Sequence, residues 1–254
     1  MKVYPIALNT FREAIRDRIL YLLLFFALLM IFSSRIVSLI TVGEETKIII
    51  DIGLSAISIF GVLMAVLIGI GLVSREIEKR TVYNILSKPI RRYQFLLGKY
   101  GGLLLTILIM DLIMSFGLLL TLYFKSGRFE LSLLLAVALF FCELFVVTAF
   151  AILFSTFTTP ILSSIFTLAI YVVGHLSWNL LALKERVTSA LGKGLCLALY
   201  YLLPNLENFN LKNEVVHNLA VGWKTILLAF GYGISYSMVI LLLAALIFQR
   251  KDFV

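Results

Sequence analysis

The sequence predicts an all-α polytopic membrane protein with six transmembrane helices in a single domain, residues 1–254. Hydrophobic residues make up 61% of the chain and charged residues only 14%, whereas soluble domains are about half apolar and a quarter charged. Apolar stretches long enough to cross a hydrocarbon core of about 30 Å recur along the chain. The basic residues behind the net charge of +8 lie at the ends of these stretches. That placement indicates membrane orientation and not a nucleic-acid partner.

Each predicted span is rich in Leu, Ile, Phe and Val, which each favour insertion by about 0.3 to 0.6 kcal/mol. Asp111 and Glu143 lie inside the third and fourth spans. A single central acid costs roughly 2.5–3.5 kcal/mol, which is too little to prevent insertion of such an apolar helix. The six predicted spans are residues 19–41, 52–73, 100–124, 131–154, 160–182 and 225–248.

The first 18 residues predict an amphipathic interface helix that precedes the first span without a turn signal. Phe11 and other apolar residues recur at helical spacing on one side. Charged residues including Arg12 and Arg16 occupy the other side, and Arg18 stands at the start of the span. A basic helix of this kind can lie in the headgroup plane. We expect either a simple anchor or a lever that transmits a push from outside the membrane into the first span.

The connector between the second and third spans, residues 74–99, carries seven Lys or Arg residues. Thr81 can cap a short helix over residues 82–87, and Pro89 breaks the chain after it. A stop-transfer loop that fixes orientation would explain the basic residues alone. It would not explain a helix with an apolar side, so we favour a docking surface for a partner. The features that favour docking are Glu76, Glu78, Val82, Ile85 and Leu86.

Six spans place both termini on one side of the membrane, and the basic residues indicate which side. The side with the termini and the connector carries 13 Lys or Arg residues, and the opposite side carries 8. The positive-inside rule therefore predicts cytoplasmic termini in the cell's inner membrane. The extracytoplasmic segment, residues 183–224, contains an apolar stretch at 195–203 that is too short to cross. We expect a re-entrant or interfacial helix within residues 187–204.

Polar residues inside the spans, and two glycines near the start of the third span, are candidates for function or for helix packing. Asp111, Glu143 and His175 lie near the middle of the bilayer and form a possible cargo path. The alternative is that each carboxyl is protonated or bonded to a neighbouring helix, and that His175 makes a helix-to-helix hydrogen bond. Gly98 and Gly102 have the spacing that lets helices approach closely.

The chain carries no recognisable catalytic or metal-binding motif. It lacks H-E-x-x-H and G-x-S-x-G, so we expect no catalytic residues and no metal site, and a membrane-embedded enzyme is disfavoured. It also lacks the G-x-x-x-x-G-K-[ST] phosphate loop, so powered transport would need an ATPase on another chain. A passive channel or a structural membrane subunit is the alternative to a transporter.

The connector "SREIEKRTVYNILSKPIRRYQFLLGKYGG" resembles that of ABC-transporter permeases of the ABC type-2 class. Three further segments are similar to the same class: "NTFREAIRDRILYLLLFF", "FSTFTTPILSSIFTLAIYVVGH" and "YYLLPNLENFNLKNEV". The last of these resembles the branch that matures copper sites such as those of nitrous-oxide reductase. The positions that carry the connector motif are Glu76, Glu78, Arg80, Thr81, Leu86, Ser87, Lys88, Pro89, Arg91, Arg92, Gly98 and Lys99.

The resemblance implies a half-size permease, most simply an exporter, that forms a homodimer and binds two copies of an ABC ATPase subunit. The family's coupling helix, carried over to Thr81–Ser87, would sit in a groove of each ATPase. ATP and Mg²⁺ would bind to that partner, and this chain would bind no cofactor itself. The spans would then move when the ATPase dimer closes.

Overall fold

The computed structural model describes residues 3–39, 44–78, 91–127, 132–187, 189–217, 219 and 222–250. All regular secondary structure in these ranges is helical. The helices are α1 (Val3–Ile15), α2 (Arg18–Ser38), α3 (Glu45–Glu78), α4 (Arg92–Ser126), α5 (Ser132–Phe157), α6 (Pro160–Arg186), α7 (Ala190–Leu202), a 3-10 turn (Leu206–Phe209), α8 (Lys212–Val216) and α9 (Trp223–Arg250).

Within the described ranges, six helices are long and apolar enough to cross a membrane, which confirms the predicted number of spans. These are α2 to α6 and α9. Helices α3 and α4 extend beyond the predicted apolar spans at both ends, because hydropathy marks only their apolar part while helical hydrogen bonding continues into polar ends. An ion pair between Glu45 and Lys125 joins the start of α3 to the end of α4.

Helix α5 forms the centre of the bundle and packs against α3, α4, α6 and α9. In the apolar stretch of α5, 72% of the residues are buried inside the protein, compared with 28% for α2 and 22% for α6. Apolar side chains surround α5 on all sides, which is the pattern of a fully buried helix. Helices α2 and α6 instead direct most of their apolar side chains outward, where lipid or another membrane helix can cover them.

The N-terminal segment forms a helix of its own, although the sequence shows no turn signal before the first span. Helix α1 ends at Ile15, and α2 starts separately at Arg18. The Asp17 side chain caps α2 by accepting a hydrogen bond of 3.0 Å from the backbone N–H of Ile19. Asp at an N-cap is a common helix start signal, so Asp17 marks a helix start that apolar periodicity alone does not show. Because the chain turns there, α1 packs along α4 instead of continuing the axis of α2.

The region predicted to hold a re-entrant or interfacial helix contains α7, whose 13 residues are too few to cross a membrane. The chain then packs back onto the bundle. The Asn205 backbone N–H donates to the Tyr232 hydroxyl (2.9 Å), and the Tyr236 hydroxyl donates to the Leu202 carbonyl (2.9 Å). We call residues 189–217 the α7–α8 segment. Its depth in the bilayer stays a prediction.

Candidate coupling and transport sites

Two glycines on α4 allow α1 to pack directly against it. A methyl group at Gly98 would lie 2.6 Å from the Cβ atom of Ile6, and one at Gly102 would lie 2.6 Å from the Cβ atom of Thr10. Both distances are too short for any residue but glycine without movement of α1. The predicted close helix packing at Gly98 and Gly102 is therefore present, and the partner helix is α1.

A buried lysine sits between these two glycines. The Lys99 side chain is 1% exposed, and its Nζ lies 3.5 Å from the Glu13 carboxylate on α1. The same ammonium lies 5.9 Å from the centroid of the Phe95 ring. Burying an ammonium is costly unless it is paired, so this contact favours one register of α1 on α4. We call the contact between α1 and α4, formed by Ile6, Thr10, Glu13, Gly98, Lys99 and Gly102, the brace.

The start of α4 is also joined to the end of α9. The Arg92 guanidinium donates hydrogen bonds to the carbonyl oxygens of Phe248 (2.8 Å) and Gln249 (3.0 Å). Carbonyls at the end of a helix lack intrahelical partners and carry partial negative charge, so a cation there is stabilising. The Phe95 and Phe248 rings stack beside this contact at 6.0 Å.

The predicted coupling residues fall into three groups. Arg80, Thr81, Val82, Ile85, Leu86, Ser87, Lys88 and Pro89 lie outside the described residues. Glu76 and Glu78 belong to the last turns of α3. Arg91 is exposed at the start of α4, whereas Arg92, Gly98 and Lys99 make the contacts described above. In the predicted interface helix, Phe11 is half-buried and Arg12 and Arg16 are exposed, as is Arg18 at the start of α2.

A second site links the middle of the bundle to the α7–α8 segment. His175 on α6 bridges two carboxylates: its Nε2 lies 2.9 Å from Glu143 Oε1, and its Nδ1 lies 3.1 Å from Glu207 Oε2. A neutral imidazole has one N–H donor, and an imidazolium has two. The ring therefore either donates to both carboxylates as a cation or accepts a hydrogen bond from one protonated carboxylic acid. We call Glu143, His175 and Glu207 the polar cluster.

Neighbouring side chains hold the polar cluster in place. The Asn210 amide donates to Glu207 Oε1 (3.0 Å), and the Tyr171 ring meets the His175 ring edge-on at 4.8 Å. The Tyr171 hydroxyl lies 3.2 Å from that of Ser58 on α3. The side-chain exposure falls from 42% at Glu207 through 24% at His175 to 1% at Glu143. The three groups thus form a polar connection from the surface to a buried carboxyl.

Inside the predicted spans, two carboxyl oxygens of the described residues are buried without a hydrogen-bond partner. One is Oε2 of Glu143 and the other is Oδ1 of Asp111 on α4. Burying such a polar atom in an apolar environment costs free energy, and acids inside spans are default functional candidates. Among the described residues no hydrogen bond joins Asp111 to the polar cluster. The structure therefore brings together Glu143 and His175 of the predicted cargo path, and leaves Asp111 separate.

Glu207 is the member of the polar cluster that sequence reasoning missed. It lies 32 residues from His175 in a 3-10 turn, where no helical or strand period marks a buried face. Leu206 and Phe209 beside it do pack on glycines of α6 and α9, Gly174 and Gly233. The available signal was an acidic residue placed between the apolar residues Leu206 and Phe209, shortly after Pro204.

The polar cluster does not have the geometry of a metal site. The described residues contain no group of three or more His, Cys, Asp or Glu side chains able to hold a metal ion. The two carboxylates lie against opposite nitrogens of the imidazole ring, so the three side chains do not converge on one point. The arrangement is suited to holding or relaying a proton and to fixing the α7–α8 segment on the bundle.

A lysine provides a second attachment of the α7–α8 segment. Lys212 Nζ lies 2.9 Å from the Asp51 carboxylate and donates a hydrogen bond of 2.6 Å to the Ser55 hydroxyl. Both partners belong to α3. The segment is therefore bonded to α3 through Lys212 and to α5 and α6 through Glu207 and His175.

The chain was compared with known families and with curated proteins. No curated protein matches it. A family model described as ABC-2 family transporter protein matches residues 4–253, which is nearly the whole chain. That extent covers α1, all six candidate spans and the α7–α8 segment. The chain therefore belongs to the ABC-2 family of transporter proteins, as a multi-pass membrane permease subunit of an ABC transporter.

Proposed function

We propose that this permease works in an ATP-driven exporter in which two copies of the chain pair and two separate ATPase subunits bind the connector, residues 74–99. The ATPases would bind ATP and Mg²⁺. The chain would lie in the inner membrane with both termini in the cytoplasm, as the excess of basic residues on that side indicates. The resemblance to the copper-site maturation branch belongs to the same proposal.

The brace is the observation that carries this proposal. The described residues of the connector, 74–78 and 91–99, belong to the end of α3 and to the N-cap and first turns of α4. Helix α4 is joined to α1 through Gly98, Lys99 and Gly102, and to the end of α9 through Arg92. A displacement applied to the connector therefore acts on α3, α4, α1 and α9 together. This is what a mechanical link between an ATPase and a transmembrane bundle requires.

The polar cluster is the best-supported part of a cargo path. Glu143 is buried, has one oxygen without a described partner, and is connected to the exposed side of Glu207 through His175. Opening the cluster would connect a carboxyl in the middle of the bundle with the space around the α7–α8 segment. Neutralising this carboxyl by Glu143→Gln should lower cargo-dependent ATP hydrolysis while leaving assembly with the ATPase intact. Unchanged transport by this variant would remove Glu143 from the path.

Co-purification tests the coupling to an ATPase. The tagged permease should retain its ATPase after mild solubilisation, and a double charge reversal, Arg80→Glu with Lys88→Glu, should release it. The matched control is Lys184→Glu with Lys193→Glu, which makes the same charge change near the other end of the bundle. Loss of the ATPase from the control to the same extent, or its retention by the connector variant, would contradict the proposal.

The direction of transport has its own test. Vesicles with the ATPase face outward should accumulate cargo in their lumen when ATP is added outside. Release of cargo that was loaded into the lumen would instead indicate import. The same vesicles without ATP distinguish a powered permease from a passive channel, because a channel would equilibrate cargo in both cases.

A further inference from the structure

An apolar groove runs between the first turns of α4 and the last part of α9. Its volume is about 300 Å³, and its lining is Tyr93, Leu96, Leu97, Met238, Leu241, Leu242 and Ala245. Leu96 and Leu241 form a buried floor. Leu97 and Leu242, which are 42% and 65% exposed, form walls that face the surroundings of the bundle. Apart from the Tyr93 hydroxyl, every lining side chain is apolar.

One end of the groove is basic. Arg91 is exposed at the N-cap of α4, and Arg92 follows it beside the end of α9. The first amides of a helix lack intrahelical partners and carry partial positive charge, so the start of α4 adds to the same potential. The described residues at this end include no acidic side chain that lines the groove.

The groove lining runs along α9 from Ala245 to Met238, which is about 10 Å. The basic end lies about one helical turn beyond it, so the distance from the basic end to the far end of the groove matches the depth of one membrane leaflet. Arg92 is bonded to Phe248, and the far end of the groove is Met238, ten residues earlier on α9. At a rise of about 1.5 Å per residue this is roughly 15 Å. The hydrocarbon core is about 30 Å thick, so one leaflet is about half of that. A cationic rim and an apolar slot that together span this depth are complementary to an anionic headgroup with its acyl chain.

We propose that this groove binds one anionic phospholipid, with its phosphate at Arg91 and the start of α4 and an acyl chain between Leu97 and Leu242. Bound in this way, the lipid covers the seam where α4 meets α9. The seam is also where Arg92 joins the connector to the end of α9, so an occupied groove supports the contact that transmits movement of the connector. In this proposal, which rests on the proposed coupling function, the lipid is a structural ligand of the permease.

Native mass spectrometry of the purified permease tests this directly, with equimolar phosphatidylglycerol and phosphatidylcholine of matched acyl chains. The parent protein should retain phosphatidylglycerol in preference. Ala245→Trp fills the groove and should lower lipid retention at least tenfold. Val239→Trp makes a bulky change on an exposed residue of the same helix outside the groove and should retain the lipid. Equal retention by the two variants would overturn the proposal.

A second variant tests the headgroup contact without disturbing the core. Arg91→Gln alters an exposed side chain and should lower the preference for phosphatidylglycerol about fivefold, the equivalent of about 1 kcal/mol for one basic residue near a membrane surface. An unchanged preference would contradict the assigned headgroup position. If Ala245→Trp does not fold, Leu242→Trp at the exposed wall replaces it.

A second copy of the chain is the competing occupant of the groove. Leu242→Cys should form no cross-link between two copies through position 242 in thiol-specific cross-linking within the membrane if lipid covers the groove. Efficient cross-linking between two copies through this position would show that the groove is a subunit interface and overturn the proposal. All of these measurements use the permease alone, so they fail or succeed independently of its coupling to an ATPase.

Discussion

Adding a single methyl group at Gly102 should separate α1 from α4. The new Cβ atom would clash with the backbone carbonyl oxygen of Ala7 and would lie 2.6 Å from the Thr10 Cβ atom. Ordinary contact begins near 3.4 Å, so α1 must retreat by at least about 0.8 Å. A gap of roughly 0.5–1 Å already forfeits a quarter to a half of the dispersion energy of a contact. Overpacking of this kind typically costs about 1–3 kcal/mol.

The neighbouring glycine, Gly101, provides a matched control for Gly102→Ala. A methyl group at Gly101 would lie 3.8 Å from the Ala7 Cβ atom, which is ordinary contact. Both substitutions gain helix propensity, by up to about 1 kcal/mol each relative to glycine. The difference between Gly101→Ala and Gly102→Ala therefore isolates the clash, and we expect Gly102→Ala to be less stable by about 1–3 kcal/mol.

Thermal unfolding of both variants in the same detergent measures this difference. The account also requires a functional consequence: Gly102→Ala should keep its bound ATPase but lose transport-coupled ATP hydrolysis, because the brace no longer holds α1. Equal melting temperatures for the two alanine variants would refute the packing argument. Full coupling in a destabilised Gly102→Ala protein would show that the brace does not transmit movement.

Three further predictions follow from the contacts. Arg92→Ala removes two charge-assisted hydrogen bonds, so the last turn of α9 should exchange its amide hydrogens faster, while Arg12→Ala, an exposed arginine, should not change this. His175→Gln and Glu207→Gln should each speed proteolysis of the α7–α8 segment, with a coupling of about 0.5–3 kcal/mol in a double-mutant cycle, whereas the exposed Asn213→Ala should have no effect. The hydrogen bond and charge of Lys47 lower the pKa of the Glu44 carboxyl. The pair therefore stabilises the start of α3 above the carboxyl's unfolded pKa, and this stabilisation is lost as the pH falls through the folded pKa. In thermal unfolding, the melting temperature of Glu44→Gln should differ from that of the parent protein at neutral pH and become equal to it in acid.

The membrane architecture could be predicted because one physical rule governs it. A helix must present an apolar stretch of fixed length to cross the bilayer, and that stretch is visible in the sequence without knowledge of any partner. The first span, predicted at 19–41, is found at Arg18–Ser38. The polar ends of α3 and α4 lie outside the predicted spans because the rule detects only the part of a helix that lies in hydrocarbon.

The candidate sites were only half predictable, because they depend on pairing between helices. The spacing of Gly98 and Gly102 predicted a close approach, and the structure confirms it. Nothing in that spacing identified α1 as the partner. His175 was expected to make a helix-to-helix hydrogen bond, and it does so with Glu143. Glu207 belongs to an irregular segment that contacts His175 only after the chain has folded back, so its role had no local signature.

In the proposed transporter, an ATPase binds the connector and moves the bundle through it. The most direct measurement is cross-linking from a photoreactive residue at position 85 in membranes that contain the assembled transporter. The account predicts an adduct between this position and the ATPase, formed on the cytoplasmic face and changed in yield by ATP. Labelling of position 85 from the opposite face, or the absence of any ATPase adduct in an actively transporting complex, would contradict it.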